Sequence, residues 1–347
     1  MYDKGRMSSR ERLYAAIALK EADRVPLLPA SREFSVHHAG YTLGACLRDG
    51  QKFVTAQVKM VEEFASDAAW SMFERQVERA LGQRMSTPED DSPSPLAPLI
   101  NCFEDLANLP RNFDMRGKGC TDHLLAITRS VKKEVGDQVP VIGLIGSPFT
   151  QACMLRGTEN LYMDMYENPD LVKKLVDYLI APTCQFIELQ VEAGAEIIFC
   201  PCAVAGRGCI SREFYEEFVH PAHMQVFDYW KNTLGAKVLF HACGDWGDRF
   251  DLVVEEGADI VQVAKVDLAW LKKEYGHRIC INGNVGTTTT MLLGTVAEVK
   301  REAKECIAKT AAGGGFILGT ECAMPRDTPA ANVHALTEAV MEAGAYA

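Results

Sequence analysis

The chain has 347 residues, with 36 Lys and Arg against 47 Asp and Glu, a formal net charge of −11. Its 48% hydrophobic and 24% charged residues exclude an intrinsically disordered chain, and the acidic balance disfavours nucleic acid or an anionic membrane as the main partner. No apolar run approaches the roughly 18 residues of a transmembrane helix, so no membrane span is expected.

The opening stretch, Met1-Tyr-Asp-Lys-Gly-Arg-Met7, is charged and does not read as a signal peptide. Residues 1–22 read as an N-terminal helical extension, Ser9–Leu19, packed outside the main body. A unit then recurs: a short apolar run followed by a helical pattern. The runs are Val25–Pro29, Ala68–Met72, Val141–Ile145, Glu196–Cys200, Lys237–His241, Asp259–Val263, Arg278–Asn282 and Gly315–Gly319. They are rich in Val, Ile, Leu and Phe, as strands buried on both faces are. The helical stretches are Gln51–Ala65, Asp122–Val135, Pro169–Ala193, Ser211–Leu234, Asp248–Glu256, Asp267–Glu274, Val296–Ala311 and Pro329–Glu342, and Gly194, Gly235, Gly257 and Gly276 stand where helices stop.

Eight strands alternating with helices predict an α/β chain folded as one (β/α)8 TIM barrel over residues 1–347. An open doubly wound sheet is the alternative, but the Gly-rich phosphate loop it usually carries after its first strand is missing after Val25–Pro29. Residues 85–119 break the alternation. They hold Pro88, Pro93, Pro95, Pro98, Pro110 and the pair Asp90-Asp91, and read as a long insertion between the second and third predicted strands, over the barrel top, either a lid or a plain surface loop.

Twelve cysteines in a chain without a visible leader point to a reducing cytoplasm. Cys46, Cys102, Cys153, Cys184 and Cys306 lie in or beside apolar runs and are expected in the core. Those next to His, Gly or Pro are different. A barrel carries its chemistry where strands end at the C-terminal face. The fifth strand ends Phe240-His241-Ala242-Cys243-Gly244, and the eighth leads into Thr320-Glu321-Cys322. His241, Cys243 and Cys322 would offer one imidazole and two thiolates to one point, a set that suits zinc with an open fourth position. A buried histidine with two inert thiols is the alternative. Cys200 and Cys202 end the fourth strand as further ligands, substrate contacts or packed thiols. Arg32, Glu33, His37 and His38 follow the first strand, as acid, base or carboxylate holders or as a solvated loop. Asn284 and Glu321 sit at the seventh and eighth strand ends, as substrate contacts. Asn284 could instead cap a helix. His220, His223, His277 and His334 read as structural.

These residues resemble the uroporphyrinogen decarboxylase superfamily, and within it the zinc- and corrinoid-dependent methyltransferases. The resemblance runs from Ala22-Asp-Arg-Val-Pro26 through Gly146-Ser-Pro-Phe-Thr150, Glu192-Ala-Gly-Ala195, Phe240-His-Ala-Cys-Gly244 and Gly283-Asn-Val285. It ends at Gly314-Gly-Phe-Ile-Leu-Gly-Thr-Glu-Cys322 and Thr328-Pro329. It implies a (β/α)8 barrel, zinc on His241, Cys243 and Cys322, and methyl transfer involving a cobalamin carried by a partner corrinoid protein. The small molecule would be a thiol such as coenzyme M or a methoxylated aromatic, with His37, His38 or Glu33 assisting as acid. The decarboxylase branch grips an anionic tetrapyrrole with an Arg-Gln-Ala-Gly-Arg motif. Here that region reads Ala30-Ser-Arg-Glu-Phe-Ser-Val-His-His-Ala-Gly40, without the second arginine. Many relatives also carry Asp-Pro where this chain has Cys200-Pro201. A barrel that has lost its chemistry and only binds is a third possibility.

Overall fold

The computed structural model describes residues 6–72, 74–111 and 113–346. The expectations for Met1–Gly5, and that for Asn112 within the insertion, lie outside the described residues. Seven strands form one sheet: β1 Ala69–Trp70, β2 Val141–Leu144, β3 Ile197–Pro201, β4 Lys237–Ala242, β5 Ile260–Val263, β6 Cys280–Val285 and β7 Phe316–Thr320. Each pairs in parallel with the next in chain order, with helices between. This is a curled α/β barrel.

The first predicted strand, Val25–Pro29, forms the eighth stave but not a regular strand. On one side Leu28 N donates to Leu318 O (2.8 Å) and Leu318 N to Pro26 O (2.9 Å); on the other, Asp67 N donates to Leu27 O (2.8 Å). Pro26 and Pro29 have no N–H, so the ladder shrinks to one bridge, Leu27 to Leu318.

Side chains alternate along the strands. One set, with Leu28, Ile142, Ile197, Leu239, Ile260, Cys280 and Ile317, fills the bore; the other joins the larger core between sheet and helices. The N-terminal helix, Ser9–Ile17, carries Leu13 and Ala16 in the bore's cluster. It therefore stops the lower mouth of the barrel, where an outer flank was expected. Arg12 and Arg24 both reach the fully buried Asp67, at 2.7 and 2.9 Å, and Asp67 also accepts from Leu27 N. That network ties helix, stave and β1 together.

The insertion lies over the C-terminal rim. Glu89 O accepts from Gly44 N, Asp90 pairs with Arg326, and Leu99 N and Ile100 N donate to Leu155 O. Within it Cys102 is exposed, contrary to the core expectation, because it begins the 3-10 turn Phe103–Asn108, where its backbone N–H bonds Asp105. The predicted helix Ser211–Leu234 is broken into Arg212–Phe218, His220–Asp228 and Tyr229–Thr233. Pro221 lacks the N–H that would carry the first helix into the second.

Candidate metal centre and cavity

His241 is the fifth residue of β4 and Cys243 follows the strand directly. Gly244 at φ +88° lets the chain turn there. Cys322 stands two residues beyond β7. Cys322 Sγ lies 3.5 Å from His241 Nε2 and 4.0 Å from Cys243 Sγ, and the three donor atoms lie within 4.8 Å of one another. A tetrahedral zinc with bonds of about 2.3 Å to sulfur and about 2.0–2.1 Å to nitrogen gives ligand separations of about 3.8 Å S···S and about 3.6 Å S···N. The donor chemistry thus fits zinc, and both separations that involve Cys322 lie close to these values. Without an ion, the thiols polarise one another. Donation from Cys243, then from His241, holds Cys322 down at about 4, whereas the bond to Cys322 and burial push Cys243 well up.

The donors are held from behind. The His241 ring stacks on Phe199, centroids 5.6 Å apart. Trp246 Nε1 donates to Cys243 O (2.9 Å). Thr320 Oγ1 donates to Cys322 O (2.7 Å) and accepts from Ala30 N (3.2 Å), while Gln262 Nε2 donates to Thr320 O (2.9 Å).

The three donors open into a cavity of about 240 Å³ at the C-terminal mouth. Its walls are Ala30, Trp70, Leu144, Phe199, Pro201, Ala203 and Ala323, with Arg32 and Glu33 at the rim. Arg32 Nε donates to Glu33 Oε1 (3.0 Å) and its Nη2 to Ser92 Oγ of the insertion (3.2 Å). The segment expected as a loop is a helix, Arg32–His38, and only its first turn faces the cavity.

The remaining candidates sit elsewhere. His37 is half exposed, 3.7 Å from Asp327. His38 stacks on Phe34 and bonds Glu63 (3.0 Å), because four residues on a helix return to the same face. Cys200 points out of the bore into the core between sheet and helices, as alternation along β3 requires once Phe199 faces inward. Cys202 is buried beside Ser147 Oγ (3.4 Å). The Asn284 amide ties down Ala264 O and Val266 O (2.8 and 3.2 Å), neither lining the cavity nor capping a helix. Glu321 accepts from Thr287 N (3.2 Å). Sequence reasoning missed Trp70, Leu144 and Phe199 as walls, and Gln262 as support. Each lies two residues along its strand from a bore residue, so period-two alternation was the available signal.

A second polar cluster lies behind β4. Glu256, fully buried, accepts from Tyr215 Oη (2.5 Å) and pairs with His220 and His223, both at 3.1 Å. Three of the four histidines read as structural are thereby placed in ion pairs, His334 lying 3.6 Å from Glu63.

Comparison with known proteins fits this picture. The family described as Uroporphyrinogen decarboxylase (URO-D) matches residues 8–343. A methylated-thiol–coenzyme M methyltransferase of Methanosarcina mazei is 26% identical over 277 residues, 80% of this chain and 72% of that one. A methylcobamide:CoM methyltransferase MtbA of the same organism is 24% identical over 336 residues, 95% of this chain and 96% of that one. A uroporphyrinogen decarboxylase of Carboxydothermus hydrogenoformans is 27% identical over 229 residues, 63% of each. A solved methyltransferase from Methanosarcina mazei shares the fold, with TM-score 0.88 and 21% identity over 97% of this chain and 99% of that one. The chain belongs to the uroporphyrinogen decarboxylase (URO-D) family.

Proposed function

We propose that this member of the URO-D family is a zinc-dependent methyltransferase, moving a methyl group between the cobalamin of a partner corrinoid protein and a small molecule in the cavity. The observation that carries the reading is the convergence of His241, Cys243 and Cys322, their donor atoms within 4.8 Å of one another, on an apolar cavity at the C-terminal mouth. The methylcobamide:CoM relative supports the corrinoid partner.

His241, Cys243 and Cys322 would hold the zinc, which when bound supplies a Lewis acid able to deprotonate a coordinated thiol or polarise an ether oxygen. The chain's own residues do the rest. Trp70, Leu144, Phe199 and Pro201 exclude water and leave a slot for a small, largely apolar molecule. Glu33, oriented by Arg32, is the acid or base nearest that slot.

The decarboxylase reading is disfavoured by the same cavity. A tetrapyrrole with its ring of carboxylates needs several free cations, and among the described residues the one cationic side chain lining this cavity, Arg32, is bonded to Glu33. A binding barrel without chemistry would have no use for two thiols and an imidazole at metal spacing.

The test is an assay on free cobalamin with zinc-loaded protein. Cob(I)alamin is offered methoxylated aromatics, and methylcobalamin is offered thiols such as coenzyme M. Zinc-dependent interconversion of the cobalamin spectra is expected in one of the two directions. Spectra unchanged in both, or conversion indifferent to zinc, overturn the reading.

A further inference from the structure

Two complementary polar atoms lie buried in the bore without hydrogen-bond partners among the described residues: His241 Nδ1, a potential donor, and Gln262 Oε1, an acceptor. His241 and Gln262 are register partners on β4 and β5. Both stand two residues above bore residues, Leu239 and Ile260, so both side chains enter the bore at one level. Both are buried, with 4% and 1% exposure. Gln262 Nε2 is fixed by its 2.9 Å bond to Thr320 O, two residues before Cys322. Turning the amide over would set oxygen against that carbonyl, so the oxygen is the end left for another partner.

Phe199 covers the opposite flank of the imidazole. Asn282, next in register beyond Gln262, spends its amide on Leu28 O and Ile317 O.

We propose that Gln262 is the positioning residue of the metal centre: its Oε1 accepts the Nδ1 proton of His241, while its Nε2 holds the β7 end that carries Cys322. This rests on the metal reading above. A neutral imidazole that binds metal through Nε2 carries its proton on Nδ1, and an acceptor behind it fixes both tautomer and ring. One amide then sets the imidazole and, through Thr320, one of the two thiolates.

The test uses the purified full chain. Zinc affinity is measured by chelator competition for the parent, Gln262→Met and Gln262→Glu, and the cobalt(II)-substituted parent is examined by proton NMR. Gln262→Met, which lacks any acceptor, loses about 10- to 100-fold in affinity. Gln262→Glu keeps the acceptor but gives up the donor to Thr320 O, and so loses less than Gln262→Met. The parent shows a shifted Nδ1 proton that exchanges slowly with solvent, a readout needing no variant to fold. An unchanged affinity in Gln262→Met, an equal loss in Gln262→Glu, or a rapidly exchanging proton in the parent overturns the proposal while leaving the metal reading intact. A parent that binds no zinc overturns the metal reading itself.

Discussion

The amide of Asn282 fills the space that a side chain on Gly319 would need. A Cβ there would lie 2.5 Å from Asn282 Nδ2 and 2.5 Å from Leu28 O. Asn282 bonds Ile317 O and Leu28 O across the joint between β6, β7 and the proline-bearing stave, at 3.2 and 3.5 Å. The missing side chain on Gly319 is what lets this seam close. The Asn282 amide could shift, but a backbone carbonyl in a barrel wall cannot. Gly319→Ala is expected to cost about 1–3 kcal/mol, read as a lower urea midpoint at unchanged slope.

Asp67 is the single carboxylate on which Arg12, Arg24 and the Leu27 amide converge, buried at the lower end of the barrel. Asp67→Asn keeps the volume but takes the carboxylate from Arg24 and one of two from Arg12, which keeps Asp23 at 2.7 Å. A loss of about 3–5 kcal/mol is expected, measured by chemical denaturation. Faster amide exchange in the helix Ser9–Ile17 would accompany it, because that helix is tied down through Arg12.

Stability should fall in alkali through His223 and Glu256. Burial alone would lower the His223 pKa, but the Glu256 carboxylate and Cys202 raise it to about 10. Burial likewise disfavours charge on Glu256, yet His223, His220 and Tyr215 hold it below its ordinary value. A histidine raised in the native state contributes fully below its unfolded pKa of about 6.5 and stops contributing as pH rises through about 10. A lowered glutamate contributes above about 4.5 and fails only in acid. Thermal melts are therefore expected to hold between about pH 5 and pH 6.5 and to fall towards pH 10. His223→Gln should lie below the parent near neutrality and lose most of that alkaline decline.

Cys200 and Cys202 separate the metal centre from its neighbours. Neither thiol lines the cavity, and Cys200 lies on the far side of β3 from the bore. Cys200→Ala and Cys202→Ala are expected to keep zinc content and methyl transfer within about twofold of the parent, with stability changes of about 1–2 kcal/mol from lost packing. Zinc content by elemental analysis checks the first; a large drop would mean that the β3 end supplies a ligand.

The barrel was legible in the sequence because doubly covered strands read as short apolar runs, and seven of the eight runs became strands. The eighth, Val25–Pro29, reads as a strand by apolarity, yet its prolines remove the donors that a ladder needs. His241, Cys243 and Cys322 stood out in the sequence because each lies at or just beyond a strand end, where a barrel gathers its chemistry. Arg32 and Glu33 line the cavity while His37 and His38 turn away from it, and the sequence, which left all four open between a site role and a solvated loop, did not tell them apart. Treating that segment as a loop hid the helical turn that carries His38 round to Glu63. Cys200 and Asn284 show the same limit: adjacency to a strand end does not say which face a side chain takes. Alternation along its strand could have put Gln262 in the bore, but not its role, which depends on a carbonyl, that of Thr320, contributed from across the bore.

The measurement that tests the account most directly is the zinc content of the chain after equilibration with zinc and removal of the excess, compared with the variant His241→Ala/Cys243→Ala/Cys322→Ala. The account predicts about one tightly held zinc per chain in the parent and none in the variant. No zinc in the parent, or the same zinc in both, would contradict it.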